Sequence, residues 1–170
     1  MPETVFGLPV HPLVVHATVV LVPLAALLLV LSALLPRVRR WAGVLTPVVA
    51  IVALVLVPLS TSSGENLEEQ VAESSLIEQH SEYADGMLPW MIGVAVLAVA
   101  SYWLDRRARV YGSADPANRR TGLALAVTVL SVVAFLGTTV QVVLVGHSGA
   151  EAAWSDTGRS SARTQSGDGD

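Results

Sequence analysis

Apolar and polar residues in this chain fall into long blocks rather than a short-period alternation. Four blocks carry no formal charge: residues 12–36, 41–64, 86–104 and 121–146. A helix needs about 20 apolar residues, each rising 1.5 Å, to cross roughly 30 Å of hydrocarbon. Each block is near or above that length. The pattern predicts an all-α protein, a four-helix transmembrane bundle with a short helical outer loop between spans two and three. The third block is the least regular, because Pro89, Trp90 and Gly93 interrupt its start. It counts as a span because a three-span reading would put the two arginine clusters on opposite sides of the membrane.

Local signals sharpen these boundaries. His11-Pro12 predicts the start of span one, since proline lacks only an N–H that the first helical turn leaves unpaired anyway. Span one then runs to about Leu35, with a kink at Pro23, and Pro36 opens the turn. Span two runs from about Ala42 to Ser60. Ser62 precedes Glu65, and Ser75 precedes Glu78, by the three-residue spacing of a capping box. These predict a surface helix over 64–73 and a second helix from near Leu76 past His80, broken between Gly86 and Pro89. Thr128, Ser131, Thr138, Thr139 and Gln141 give span four a polar side suited to close helix packing. Trp41, Trp90, Trp103 and Trp154 are placed at headgroup level. After Trp154 the chain turns Ser/Gly/Asp/Arg-rich without apolar period. The expected organisation is a four-span membrane domain over 1–154 and a disordered polar tail over 155–170, with no internal repeat.

Composition agrees: 52% of residues are hydrophobic and 14% charged, too few charges to cover a soluble domain of 170 residues. Eight arginines and only two carboxylates, Asp105 and Asp115, fall in the loops joining spans one to two and three to four. Two arginines and twelve carboxylates fall on the other side, which together give the formal net charge of −4. Arginine-rich short loops stay cytoplasmic. The expected location is therefore a bacterial cytoplasmic (inner) membrane, with both termini and the 65–85 loop outside. Met1 to Val10 has no positive charge, and the apolar run after it exceeds a signal-peptide core, so span one reads as retained. Lysine is absent, and the Ala/Val/Leu/Arg-rich composition suggests a GC-rich bacterial genome. Cysteine is absent too, which excludes disulfides, thiolate metal sites and haem attached through cysteine. The lipid bilayer is the expected partner. Nucleic acid is not, and neither is soluble catalysis, because the arginines are membrane-adjacent and no phosphate-cradling loop or nucleophile motif appears.

The candidate chemistry lies in the histidines. His11, His16, His80 and His147 all fall at the predicted outer ends of spans. His11 caps span one, His16 lies five residues deeper in an apolar run, His80 sits in the outer connection and His147 ends span four. Imidazoles on facing helices of a bundle commonly hold haem or metals such as iron, copper and zinc. An ionisable group inside an apolar run, as His16 is, calls for a specific partner. Glu65 and Glu68 could fold over the mouth as carboxylate ligands or as partners that orient an imidazole.

Several segments carry a resemblance. The run Gly7-Leu8-Pro9-Val10-His11-Pro12-Leu13-Val14-Val15-His16 resembles the opening of a bacterial membrane family, domain of unknown function 2231. The segments Leu56 to Thr61, Gly64 to Glu68, Leu76 to His80, Leu88-Pro89-Trp90 and Gly146 to Trp154 resemble its actinobacterial-type branch. Many relatives carry Phe-Pro after the second histidine, where this chain has Ala17-Thr18. The resemblance covers about Gly7 to Trp154. It implies a multi-span inner-membrane protein of no established activity, and some relatives look fused to Rieske-type ferredoxin domains, which points to redox partners.

Two cofactor readings follow, and a third without one. The first is an electron-transfer subunit, rather than a stand-alone enzyme, that binds a b-type haem through His16 and either His80 or His147, with His11 also at the site. The second is a non-haem copper, zinc or iron site built from three of His11, His16, His80 and His147 with Glu65 or Glu68. The third is a cofactor-free accessory or scaffold subunit.

Overall fold

The computed structural model describes residues 4–5, 8–68, 74–111 and 117–166. Two short strands, β1 (Thr4–Val5) and β2 (Leu8–Pro9), pair antiparallel ahead of the first helix. Six helices follow: α1 (Val10–Leu34), α2 (Pro36–Ala42), α3 (Leu45–Glu68), α4 (Ser75–Asp85), α5 (Met87–Tyr111) and α6 (Ala117–Ser166). Helices α1, α3, α5 and α6 supply the four segments long and apolar enough to cross a membrane. α1 and α5 each pack against both α3 and α6, so the four close into a ring with α1 and α5 on one diagonal.

The residue distribution is that of a bundle in lipid. The core is dominated by small side chains, among them Ala25, Ala26, Ala50, Ala53 and Ala98, each at most 1% exposed. Small residues let helix backbones approach where no water drives association. Larger aliphatic residues face outward, including Val20, Val96, Leu125 and Val140. An outer surface of valine and leucine would be an aggregation patch in water and is the ordinary lipid-facing surface of a membrane bundle.

Several local expectations hold and others change. Pro36 opens a separate short helix, α2, and Gly43 at φ +44° ends it, donating its N–H to the Arg39 carbonyl. The surface helix predicted over 64–73 does not start afresh at Ser62. α3 runs unbroken to Glu68, because nothing between Ser60 and Glu68 stops a helix more firmly than Gly64; residues 69–73 lie outside the described set. The second capping site is real but one residue early: Ser74 caps α4 by accepting from the Leu76 N–H. The expected break falls at Gly86, between α4 and α5. There Gln141 of α6 donates to the Tyr83 carbonyl at 2.5 Å, satisfying an acceptor that the broken helix would otherwise leave open. Trp90, expected at headgroup level, packs on a neighbouring helix. Its ring lies against α6 at Gly137, where an added Cβ would come within 2.1 Å of it. Past Trp154, α6 continues to Ser166, and the division into membrane domain and polar tail remains one of composition.

The structure also reveals a repeat that residue identities hide. One constant offset in numbering carries His11 to His80, Val22 to Met91, Ala25 to Val94, Ala26 to Ala95, Leu29 to Ala98 and Ser32 to Ser101. A second, longer offset carries Thr46 to Ser131, Ala53 to Thr138, Ser63 to Ser148 and Gly64 to Gly149. Apart from the histidines, the glycines and half-buried Ser101, all of these residues are buried. The α1–α3 hairpin and the α4/α5–α6 hairpin therefore present matching faces. Both hairpins begin at the same end, so the pseudo-two-fold axis runs along the bundle, as in parallel membrane repeats. The difference between the two offsets is taken up by the longer end of α5 and the longer start of α6.

Candidate functional site

The repeat places two histidines in equivalent settings at one end of the bundle. His11, in the first turn of α1, reaches α3: its Nδ1 lies 2.8 Å from Ser63 Oγ, and its Cε1 is 3.4 Å from where a Cβ on Gly64 would stand. His80, on α4, reaches α6: its Nδ1 lies 3.0 Å from Ser148 Oγ, and its Cε1 would be 2.9 Å from a Cβ on Gly149. Each ring is thus held by a Ser-Gly pair on the second helix of its own hairpin. The serine supplies the polar contact and the glycine supplies the room.

Each serine oxygen also lies within reach of a carbonyl one turn back: Ser63 Oγ is 2.8 Å from the Ser60 carbonyl and Ser148 Oγ is 3.2 Å from the Val145 carbonyl. A hydroxyl carries one proton, so a serine that gives it to that carbonyl accepts from its histidine; Nδ1 then carries the ring proton and Nε2 keeps a lone pair. An imidazole whose Nδ1–H is anchored while Nε2 stays free is arranged as a metal ligand is. The two rings are within electrostatic reach of one another across the mouth.

The other two histidines turn away. His16 is five residues past His11, which rotates it about 140° around the helix. It is exposed, and its Nδ1 donates to the Pro12 carbonyl one turn back at 2.5 Å. His147 precedes buried Ser148 by one residue, so it points outward; its side chain is 74% exposed and lies 3.5 Å from Glu151 one turn on. Of the pair expected first, His16 with His80 or His147, His16 and His147 are exposed, whereas His11 and His80 are each held against the second helix of their own hairpin. Glu65 is exposed and Glu68 half-buried, both on the last turns of α3. Among the described residues no three His, Asp or Glu side chains gather as a metal site would require.

Ser63, Gly64, Ser148 and Gly149 were not singled out as a set from the sequence. The legible signal was the dipeptide Ser-Gly recurring near the same end of the second helix in each half, a weak cue until the histidines are seen to reach it.

Fold and surface together define a multi-span membrane protein whose two hairpins each carry a histidine clasped at the same end. The chain belongs to the family described as predicted membrane protein (DUF2231), which matches residues 7–162. No curated protein and no solved structure matches it.

Proposed function

We propose that this protein is a small electron-transfer subunit that holds a b-type haem at the histidine end of the bundle, with His11 and His80 as the two axial ligands. The observation that carries this reading is the pair of imidazoles, each anchored at Nδ1 by a serine, contributed by equivalent positions of the two hairpins. Porphyrin supplies four nitrogen donors, so two protein ligands complete the iron. A copper, zinc or non-haem iron site of the kind first expected needs a third side chain, and the described residues do not gather one. When bound, haem would supply one-electron chemistry; the chain would supply the axial nitrogens and the Ser63 and Ser148 contacts that fix their orientation. A Rieske-type protein is the class of partner suited to exchange electrons there. The bundle lies in the bacterial cytoplasmic membrane with its arginine loops inside and the histidine mouth outside. A cysteine placed at Glu65 in this cysteine-free chain should react with a membrane-impermeant maleimide in intact spheroplasts; protection until lysis would reverse the orientation.

The decisive measurement is an absorption spectrum of protein purified after expression with haem supplied. We expect a Soret band at one haem per chain, lost in His11→Ala and in His80→Ala and kept in His16→Ala and His147→Ala. A colourless wild-type protein, or a band that survives the His11→Ala/His80→Ala double change, would overturn the proposal. The first of these outcomes, in a protein whose stability falls on clasp substitution, would favour the reading in which His11 and His80 are structural pins of a cofactor-free scaffold.

A further inference from the structure

The end of the bundle opposite the histidines holds a cavity of about 1030 Å³. That is at the upper end of the range for small-molecule sites. Its walls come from both hairpins at equivalent positions. Leu29 pairs with Ala98, Ser32 with Ser101 and Gly43 with Thr128 under the two offsets that relate the hairpins. The cavity is therefore lined from both hairpins and is not the feature of one loop.

The repeat also shows where the two halves diverge. Arg39 stands opposite Ala108, and Ala33 opposite Tyr102, so the lining is polar on different levels in the two hairpins. At the mouth, Asp105 bridges Arg39 at 3.7 Å and also pairs with Arg109. Arg107 lies over the Trp103 ring, 3.7 Å from its centroid, and also lines the opening. Arg39 and Arg107 exceed the single lining carboxylate, Asp105, so the opening carries a net positive charge. The remaining lining is largely apolar, with Leu123, Ala124 and Val127 of α6 accessible and Leu29 and Ala98 buried behind them, and the proton of Ser101 is already given to the Leu97 carbonyl. A positive rim at headgroup level above an apolar slot between helices suits one acidic headgroup with its acyl chain.

We propose that this cavity binds one acidic phospholipid from the surrounding leaflet, its phosphate on Arg39 and Arg107 and an acyl chain in the slot. The proposal is independent of the haem reading, since it uses the other end of the molecule. The test is native mass spectrometry of the full chain in detergent, titrated with phosphatidylglycerol or phosphatidylcholine. We expect one phosphatidylglycerol bound in preference to phosphatidylcholine. Arg39→Gln/Arg107→Gln should weaken that binding about 10-fold, the order expected for two headgroup-level arginines. Arg37→Gln/Arg40→Gln, which removes the same charge from α2 residues outside the cavity, should leave it unchanged. Ala124→Leu, at an exposed lining position, should narrow the slot and also displace the lipid, and it keeps the test open if the double arginine variant misfolds. Equal binding of the two lipids, equal loss in both arginine pairs, or a retained quinone in place of phospholipid would overturn the assignment.

Discussion

The two histidine clasps look alike, yet they should respond oppositely to the same small change. At Gly149 an added methyl carbon would lie 2.9 Å from His80 Cε1, 3.2 Å from Nδ1 and 3.6 Å from Nε2. Non-bonded carbons rest about 3.5–4.0 Å apart, so the ring must retreat by about half an ångström or more. Retreat lengthens a Nδ1···Oγ bond that already stands at 3.0 Å and leaves Ser148, 3% exposed, without its donor. Losing that bond costs about 1 kcal/mol and the overpacking about 1–3 kcal/mol. Replacing glycine by alanine in a helix returns about 1 kcal/mol. Gly149→Ala should therefore destabilise by about 1–3 kcal/mol. At Gly64 the corresponding methyl would lie 3.4 Å from His11 Cε1, an ordinary contact, with nothing else within 4 Å. There the helix-propensity gain stands nearly alone, and Gly64→Ala should stabilise by about 0.5–1 kcal/mol. Thermal unfolding in detergent, followed by far-ultraviolet circular dichroism, reads both. For a chain of this size each kcal/mol moves Tm by about 2–4 °C, so the two variants should fall on opposite sides of wild type and differ by several degrees. Equal Tm values, or a Gly149→Ala protein as stable as wild type, would refute the claim that His80 is pressed against the α6 backbone.

Two further outcomes follow from the interior of α6. Gly137→Ala would drive a methyl to 2.1 Å from the Trp90 ring, which is too rigid to yield locally. We expect a loss of about 3 kcal/mol or more, largely recovered when Trp90→Leu is added, as a double-mutant cycle in unfolding would show. Thr138 is fully buried, and its hydroxyl is the one buried side-chain polar atom among the described residues without a hydrogen-bond partner. Thr138→Val should raise stability by about 1 kcal/mol, visible as a Tm increase of a few degrees; a decrease would mean that the hydroxyl has a partner in the folded protein, such as a bound water or ligand.

The spans were legible in the chain because the bilayer imposes a one-dimensional rule. About 20 uncharged residues must lie in a row, and charges must collect at the ends. Ser75 with Glu78 located the start of α4 to within one residue, and Gly86 located the break before α5, because capping and helix termination depend on a few adjacent side chains. The end of α3 was missed, since a single glycine and a serine do not stop a helix that tertiary contacts extend.

The histidines divide in the same way. That all four gather at one end follows from their order in the chain. Which of them meet depends on rotation about helix axes and on which helix stands opposite, and neither is encoded over a local window. His16 looked the most constrained residue in an apolar run, but its five-residue spacing from His11 carries it to the outer face. His11 and His80 came to equivalent settings only because two hairpins of dissimilar residues fold on matching buried positions. Burial, which a helix repeats every three or four residues whatever the side chain, preserved a two-fold pattern that residue identity had lost. The amino-acid order by itself thus determined how many times the chain crosses the bilayer and where its charges lie. Helix packing alone decided that His11 and His80 are the histidines clasped by Ser-Gly pairs.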